Sequence, residues 1–122
     1  MTKGSNMGRV IYFEITADDI ERAADFYAKA LGWQAEASPF AEGYKLADTG
    51  TGTGINGAFM KRTFLAQPTI VWTEVDDIDA AMDGVQGAGG SIVNEKSTIP
   101  GQGHVVYVRD TEGNLLGLKQ PL

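Results

Sequence analysis

Val10–Trp33 reads VIYFEITADDIERAADFYAKALGW. Its first six residues are β-branched or aromatic apart from one glutamate, the composition of a strand. Side chains alternate along a strand, so Ile11, Phe13 and Ile15 make one wholly apolar face and Val10, Tyr12 and Glu14 the other. A helix follows. Asp18 is the expected cap, with Glu21 at capping-box spacing. Ile20, Ala23, Ala24, Tyr27 and Leu31 recur at helical intervals and form one buried stripe. Gly32 is placed to stop the helix, because glycine tolerates the left-handed conformation there. The stripe is expected to cover the apolar face of the strand.

Outward from this stretch, strands are expected over about Trp33–Ser38, Gly43–Asp48 and Ile55–Met60. Pro39 and the run TGTGTG at 49–54 separate them. No helix pattern follows that run and no Lys-Ser/Thr is attached, so it reads as a hairpin connection and not a phosphate loop. Lys61–Pro68 reads as a linker. From Thr69 the plan starts again: TIVWTEV is a strand, Asp76 and Asp79 repeat the capping spacing, and Ile78, Ala81, Met82 and Val85 form a stripe. Gly84 and Gly87 each weaken this second helix by roughly 1 kcal/mol relative to alanine, and Gly89-Gly90 is its expected end. Strands are expected at Ser91–Lys96, His104–Arg109 and Leu115–Lys119, the last two joined by a tight turn at Asp110–Asn114. Asp19 and Asp77, Ile20 and Ile78, Ala23 and Ala81, and Gly32 and Gly90 are each 58 residues apart. Two copies of a unit too small to fold alone are expected to complete one another.

The bulk properties bound the function. The 122 residues fit one domain, with net charge −6 and a composition 43% hydrophobic and 21% charged; the sequence pI is near 4.6. Nucleic-acid binders carry a basic stripe, whereas Lys61-Arg62 is the only adjacent basic pair here, so nucleic acid is not an expected partner. No apolar run approaches the roughly 18–20 residues of a membrane span, and MTKGSNMGR has no secretory h-region. Cysteine is absent, which excludes disulfides and thiolate chemistry and suits a cytoplasmic protein. One histidine, His104, rules out a multi-histidine metal site within a chain.

Asp19-Ile20-Glu21-Arg22-Ala23, Phe26-Tyr27 and Leu31-Gly32-Trp33, followed by Val75-Asp76-Asp77-Ile78-Asp79-Ala80-Ala81, Gly89-Gly90 and Asp110-Thr111-Glu112-Gly113-Asn114, give the sequence a family likeness. It resembles the vicinal oxygen chelate superfamily, which holds glyoxalase I, the bleomycin and fosfomycin resistance proteins and the extradiol dioxygenases. Tyr12-Phe13-Glu14-Ile15 resembles the first strand of its small glyoxalase-like members. The turn departs from the family's Asp-Pro-x-Gly-Asn, with Thr111 where proline is usual. The resemblance implies an α+β fold of two tandem βαβββ modules, an open, curled mixed β-sheet half-barrel pair around a cavity with the helices outside. Residues 1–8 would be a flexible N-terminus and 9–122 a single domain, with module 1 at about 9–60, a linker at 61–68 and module 2 at about 69–120. It also implies a homodimer. The family's metal-ligand positions fall near Tyr12, Ala58, Ile70 and Gly117. Ala, Ile and Gly offer no lone pairs and a protonated tyrosine is a poor ligand, so no metal and no cofactor are expected.

Tyr12 and Glu14 share the face away from the helix and are expected to line the cavity. A carboxylate there suits proton transfer or hydrogen bonding; a solvated or arginine-paired glutamate is the plainer reading. Its burial would demand a donor, and Tyr12, Tyr107 and Arg109 are the candidates. Trp72, 58 residues after Glu14, offers an aromatic wall or core filling. Tyr107 and Arg109 alternate with Val106 and Val108; Arg109 would clamp an anion or pair with Asp110 or Glu112. His104, after Gly101-Gln102-Gly103, reads as a cavity rim or as incidental. The expected function is metal-independent binding of a small apolar or aromatic molecule by Tyr12, Glu14, Trp72, Tyr107 and Arg109. The alternatives are a lyase or isomerase of the glyoxalase type, metal-free with Glu14 as base or with a metal at a site the alignment misplaces, and a structural or partner-binding dimeric module.

Overall fold

The computed structural model describes residues 8–62 and 67–122; the expected N-terminal tail up to residue 7 and the middle of the expected linker lie outside the described residues. The elements run β1 (Arg9–Ala17), α1 (Ile20–Leu31), β2 (Gln34–Ala37), β3 (Tyr44–Asp48), β4 (Gly57–Lys61), β5 (Thr69–Glu74), α2 (Ile78–Gly87), β6 (Ser91–Ile92), β7 (Ser97–Ile99), β8 (Gly103–Arg109) and β9 (Leu115–Pro121). This is the α+β, twice-used βαβββ order, with one strand of the second copy split into β6 and β7. The chain divides into two compact units, Tyr12–Ile70 and Val71–Leu122 with the chain start up to Ile11. Among the described residues no helix is long and apolar enough to cross a membrane.

In the first unit the strands lie in the order β2-β3-β4-β1. β1 runs parallel to β4, with Phe13 opposite Gly57 and Glu14 opposite Ala58. Ile20, Ala47 and Phe59 form the core, packed by Ile15, Ala23, Ala24, Tyr27 and Trp33. The stripe of α1 therefore packs on this core as expected except at its end. Leu31 is 60% exposed, and Trp33 takes its place, stacked on Tyr27 at 4.7 Å. The cause is Gly32, at φ +77. Its left-handed turn lets the Trp33 N–H reach the Tyr27 carbonyl at 3.3 Å and swings the indole back over the helix.

The caps differ from expectation by one residue. Asp19 caps α1, its Oδ1 accepting from the Arg22 N–H at 3.0 Å. Asp77 caps α2, accepting from the Ala80 N–H at 3.1 Å. Asp18 instead faces Arg62 at 3.8 Å. Arg62 is no linker residue: its Nε donates to Thr16 Oγ1 at 3.0 Å and its Nη2 to the Thr16 carbonyl at 2.9 Å. Lys61 belongs to β4. Thr16, itself buried, passes its hydroxyl proton to the carbonyl of Gln67 or of Pro68, 2.9 and 3.2 Å away.

In the second unit the order is β5-β9-β8-β6, with β7 also on β8. Val75, Ile78, Val106, Val108 and Leu118 are the core, and Ala81, Met82 and Val85 of α2 pack on it. The expected strand Ser91–Lys96 is broken. Ile92 lies opposite Val108 and Ser97 opposite Val105, so five steps along one strand span three on its partner. Asn94 accounts for the break, because its carboxamide oxygen accepts from the Tyr107 N–H at 2.8 Å in place of a strand carbonyl. α2 closes at Gly87, with Ala88 as C-cap and the positive φ at Gly89.

Asp19→Ala is expected to cost about 1 kcal/mol of stability as a lost cap, and Asp18→Ala less than about 0.5 kcal/mol as a lost exposed ion pair. Urea unfolding of the two variants checks the order, and the reverse order would return the cap to Asp18.

Candidate functional site

Alternation along β1 places its side chains as the pattern requires. Phe13 packs on the helix side, 5.6 Å from the Trp33 ring, and Ile15 joins the core. Tyr12 and Glu14 therefore take the opposite face. On β3, Ala47 is in the helix-side core and Lys45 reaches Glu21 of α1 at 3.1 Å, which puts Tyr44 and Leu46 on the face of Tyr12 and Glu14.

Glu14 is 3% exposed. Its Oε2 accepts from the Tyr44 hydroxyl at 2.6 Å, a short bond of the charge-assisted kind. The Tyr44 and Tyr12 hydroxyls are 3.3 Å apart. Tyr44 is the residue the sequence reading missed. It sits on β3, Glu14 sits on β1, and β4 lies between them, so the tyrosine reaches across a whole strand. Ala58, opposite both Leu46 and Glu14, carries only a methyl group and leaves that path open. Burial, then the Glu14 charge, push the Tyr44 phenol far above its ordinary range. Burial also raises Tyr12, helped by the Glu14 charge and opposed by the Tyr44 hydrogen bond. Both phenols stay protonated.

Beside Tyr12 the same face opens into a cleft of about 510 Å³, lined among others by Gln34, Glu36, Leu46, Asp48 and Asn56. The lining is more polar than an apolar ligand alone would need. The 49–54 run closes the hairpin at its edge: Asp48 Oδ1 accepts from the Gly50 N–H at 2.9 Å, and Asn56 Oδ1 from the Thr49 N–H at 2.9 Å.

The other expected site residues lie in the second unit. Trp72 is buried, with its ring 4.9 Å from that of Tyr107, and its Nε1 has no partner among the described residues. Arg109 is exposed and donates to the Gly113 carbonyl at 2.8 Å, so it holds the turn after β8. That turn is built on Asp110, whose Oδ1 accepts from the N–H groups of Glu112 and Asn114 at 2.8 and 2.9 Å; these bonds hold its carboxyl below the usual range. His104 Nδ1 lies 2.8 Å from Thr98 Oγ1.

The four positions to which a metal site would map do not fit a divalent ion. Ala58 and Ile70 are fully buried and offer no donor. At Gly117, opposite Trp72 in the parallel pair, a Cβ would collide with the Trp72 ring, so the indole occupies the space a ligating side chain would need. Among the described residues no group of three or more His, Asp or Glu side chains is placed to hold a metal ion.

The family model described as Glyoxalase/Bleomycin resistance protein/Dioxygenase superfamily matches residues 9–118. A probable lactoylglutathione lyase of Vibrio parahaemolyticus is 26% identical, covering 93% of this chain and 91% of that protein. Methylmalonyl-CoA epimerase from Mycobacterium tuberculosis superposes with a TM-score of 0.68 at 17% identity, covering 100% of this chain and 93% of its own. A superfamily member from Vibrio splendidus 12B01 gives 0.67 at 18%, covering 93% and 99%.

Phenols whose folded-state pKa is raised contribute stability that is present below the ordinary tyrosine value of about 10 and is lost as pH rises beyond it, since the unfolded chain releases protons that the fold retains. Tyr44→Phe is expected to cost about 1.5–3 kcal/mol near neutral pH, as a lost bond to a charged group, and to flatten the alkaline loss. Urea midpoints measured on either side of pH about 10 check both; an unchanged alkaline slope would count against the assignment.

Proposed function

The chain belongs to the Glyoxalase/Bleomycin resistance protein/Dioxygenase superfamily, and from that premise we propose that it binds a small molecule without a resident metal. The observation that carries this reading is the buried Glu14 carboxylate anchored by Tyr44 on the face where Tyr12 opens onto a cleft. Relatives that use a metal need donors at positions where this chain has Ala58, Ile70 and Gly117. The Tyr12 ring and Leu46 supply apolar surface for an aromatic or apolar body. Trp72 and Tyr107, whose rings are in contact in their own unit, belong to the proposal as ligand contacts. Arg109 keeps an expected role as an anion contact only if it releases the Gly113 carbonyl, and His104 an expected place on a rim.

The proposed partner is a second copy of the chain. Phe26, Leu31 and Phe40 in the first unit and Val71 and Leu122 in the second are exposed apolar side chains that an interface would cover. A cytoplasmic location completes the reading, supported by the absence of cysteine.

A second reading, a lyase or isomerase, is favoured by the likeness to a probable lactoylglutathione lyase. It asks Glu14 to act as a base although the side chain is nearly enclosed and one oxygen is held by Tyr44.

A saturation-transfer NMR screen of aromatic fragments against chelator-treated protein tests the proposal. The expected result is binding that survives metal removal and that Glu14→Gln weakens by roughly 1–3 kcal/mol with the fold intact. Binding that needs added Zn²⁺ or Ni²⁺, or turnover of a 2-oxoaldehyde–thiol adduct, would replace it with the enzyme reading.

A further inference from the structure

Asn56-Gly57 is the only place in the chain where glycine follows asparagine, and the structure accounts for both residues. Gly57 opens β4 opposite Phe13. A Cβ there would collide with the Phe13 ring and carbonyl, so the position is closed to other residues. Asn56 ties off the 49–54 loop. Its Oδ1 accepts from the Thr49 N–H at 2.9 Å, and Thr49 Oγ1 lies 3.2 Å from the same oxygen.

The pair that packing demands is also chemically labile. With no side chain at residue 57, nothing shields the backbone nitrogen that follows the Asn56 amide. That nitrogen attacks Asn56 Cγ and closes a five-membered imide ring. The Thr49 N–H polarises the carbonyl under attack and is placed to hold the charge that develops on its oxygen. The proton of the Gly57 N–H ends on the side-chain nitrogen, which departs as ammonia. Water then opens the ring. Opening at Cγ gives aspartate. Opening at the Asn56 backbone carbonyl gives isoaspartate, whose chain runs through Cβ and Cγ. Nothing is oxidised or reduced, and water is the only co-reactant.

The fold leaves the path to this ring open. Residues 50–56 are all exposed, and Asn56 stands one residue before β4. Turning its side chain toward Gly57 breaks the contact with Thr49 and disturbs only the end of a strand, a local opening and not a global one.

We infer that Asn56 is a site of hydrolytic modification in the native chain, converting without an enzyme to aspartate and isoaspartate. The two products differ in consequence. Aspartate keeps the backbone and still offers Thr49 an acceptor. Isoaspartate adds a methylene to the backbone just before Gly57, which is held under the Phe13 ring. Its carboxylate sits directly on Cα, too short an arm to reach Thr49 as before. The next residue, Ala58, is the one opposite Glu14, so the isoaspartate form loosens the first unit where its polar anchor lies.

The intact chain is incubated in mildly alkaline buffer, digested with trypsin and weighed. Peptide 46–61 holds Asn56 and no other asparagine or glutamine. It is expected to gain one mass unit and to become a substrate for an isoaspartyl methyltransferase, while the peptides holding Asn94 and Asn114 stay unchanged. Asn56→Ser is expected to abolish both signals. Asp19→Ala is expected to leave the rate unchanged, whereas a reaction that needed global unfolding would speed up about fivefold with the lost cap. The isoaspartate form, separated by ion exchange, is expected to unfold at lower urea than Asn56→Asp. An intact chain that keeps Asn56 while excised peptide 46–61 reacts would overturn the inference. So would a rate that follows Asp19→Ala, equal change at Asn94 or Asn114, or an isoaspartate form as stable as Asn56→Asp.

Discussion

A carboxylate taken out of water must be given a donor, and Glu14 is 3% exposed. Leaving it without one would cost several kcal/mol, a large share of the stability of a small domain. Its hydrogen bond to Tyr44 at 2.6 Å therefore constrains more than two side chains. The tyrosine reaches from β3 across β4 to β1, so the bond holds only in the register that sets Tyr44 opposite Met60, and Ala58 opposite Glu14. A slip of one residue would turn Tyr44 to the helix side. A larger side chain at 58 would stand in its path. The residue that makes this position useless as a metal ligand is thus the one that lets the polar anchor form.

Glycine and aromatic residues meet in both units for a related reason. Phe13 covers Gly57 on the helix side of the first unit, and Trp72 covers Gly117 on the opposite face of the second. In each case the glycine faces the ring across a parallel strand pair and a Cβ would collide with it. Flat rings lying on bare backbone let the parallel pairs be covered without long side chains. In the second unit the same device fills the place where a ligating side chain would stand.

Much of this was legible in the sequence because it depends on local periodicity. The faces of β1, the stripes of both helices and the doubled order of elements follow from alternation and from the 3.6-residue repeat. The misses have physical causes. Asp18 and Asp19 are adjacent and both are good caps, so the local pattern does not choose between them; Asp18 faces Arg62, a contact distant in sequence. Leu31 fits the helical stripe, but a left-handed glycine brings a larger apolar group, Trp33, to the same place. Strand β6 ends early because a side chain, Asn94, substitutes for backbone. Tyr44 was invisible as a site residue because its role depends on which rows of three strands align, and no single strand's pattern encodes that. The cleft's carboxylates, Glu36 and Asp48, were hidden for the same reason.

The account stands on the proton between Tyr44 and Glu14, and proton NMR observes it directly. A hydroxyl proton in a short bond to a buried carboxylate is expected as a downfield, slowly exchanging resonance, identified by its loss in Tyr44→Phe. It should move sharply upfield or vanish in Glu14→Gln, which keeps the shape and removes the charge. A spectrum with no such resonance, or one in which the resonance is unchanged by Glu14→Gln, would contradict the account.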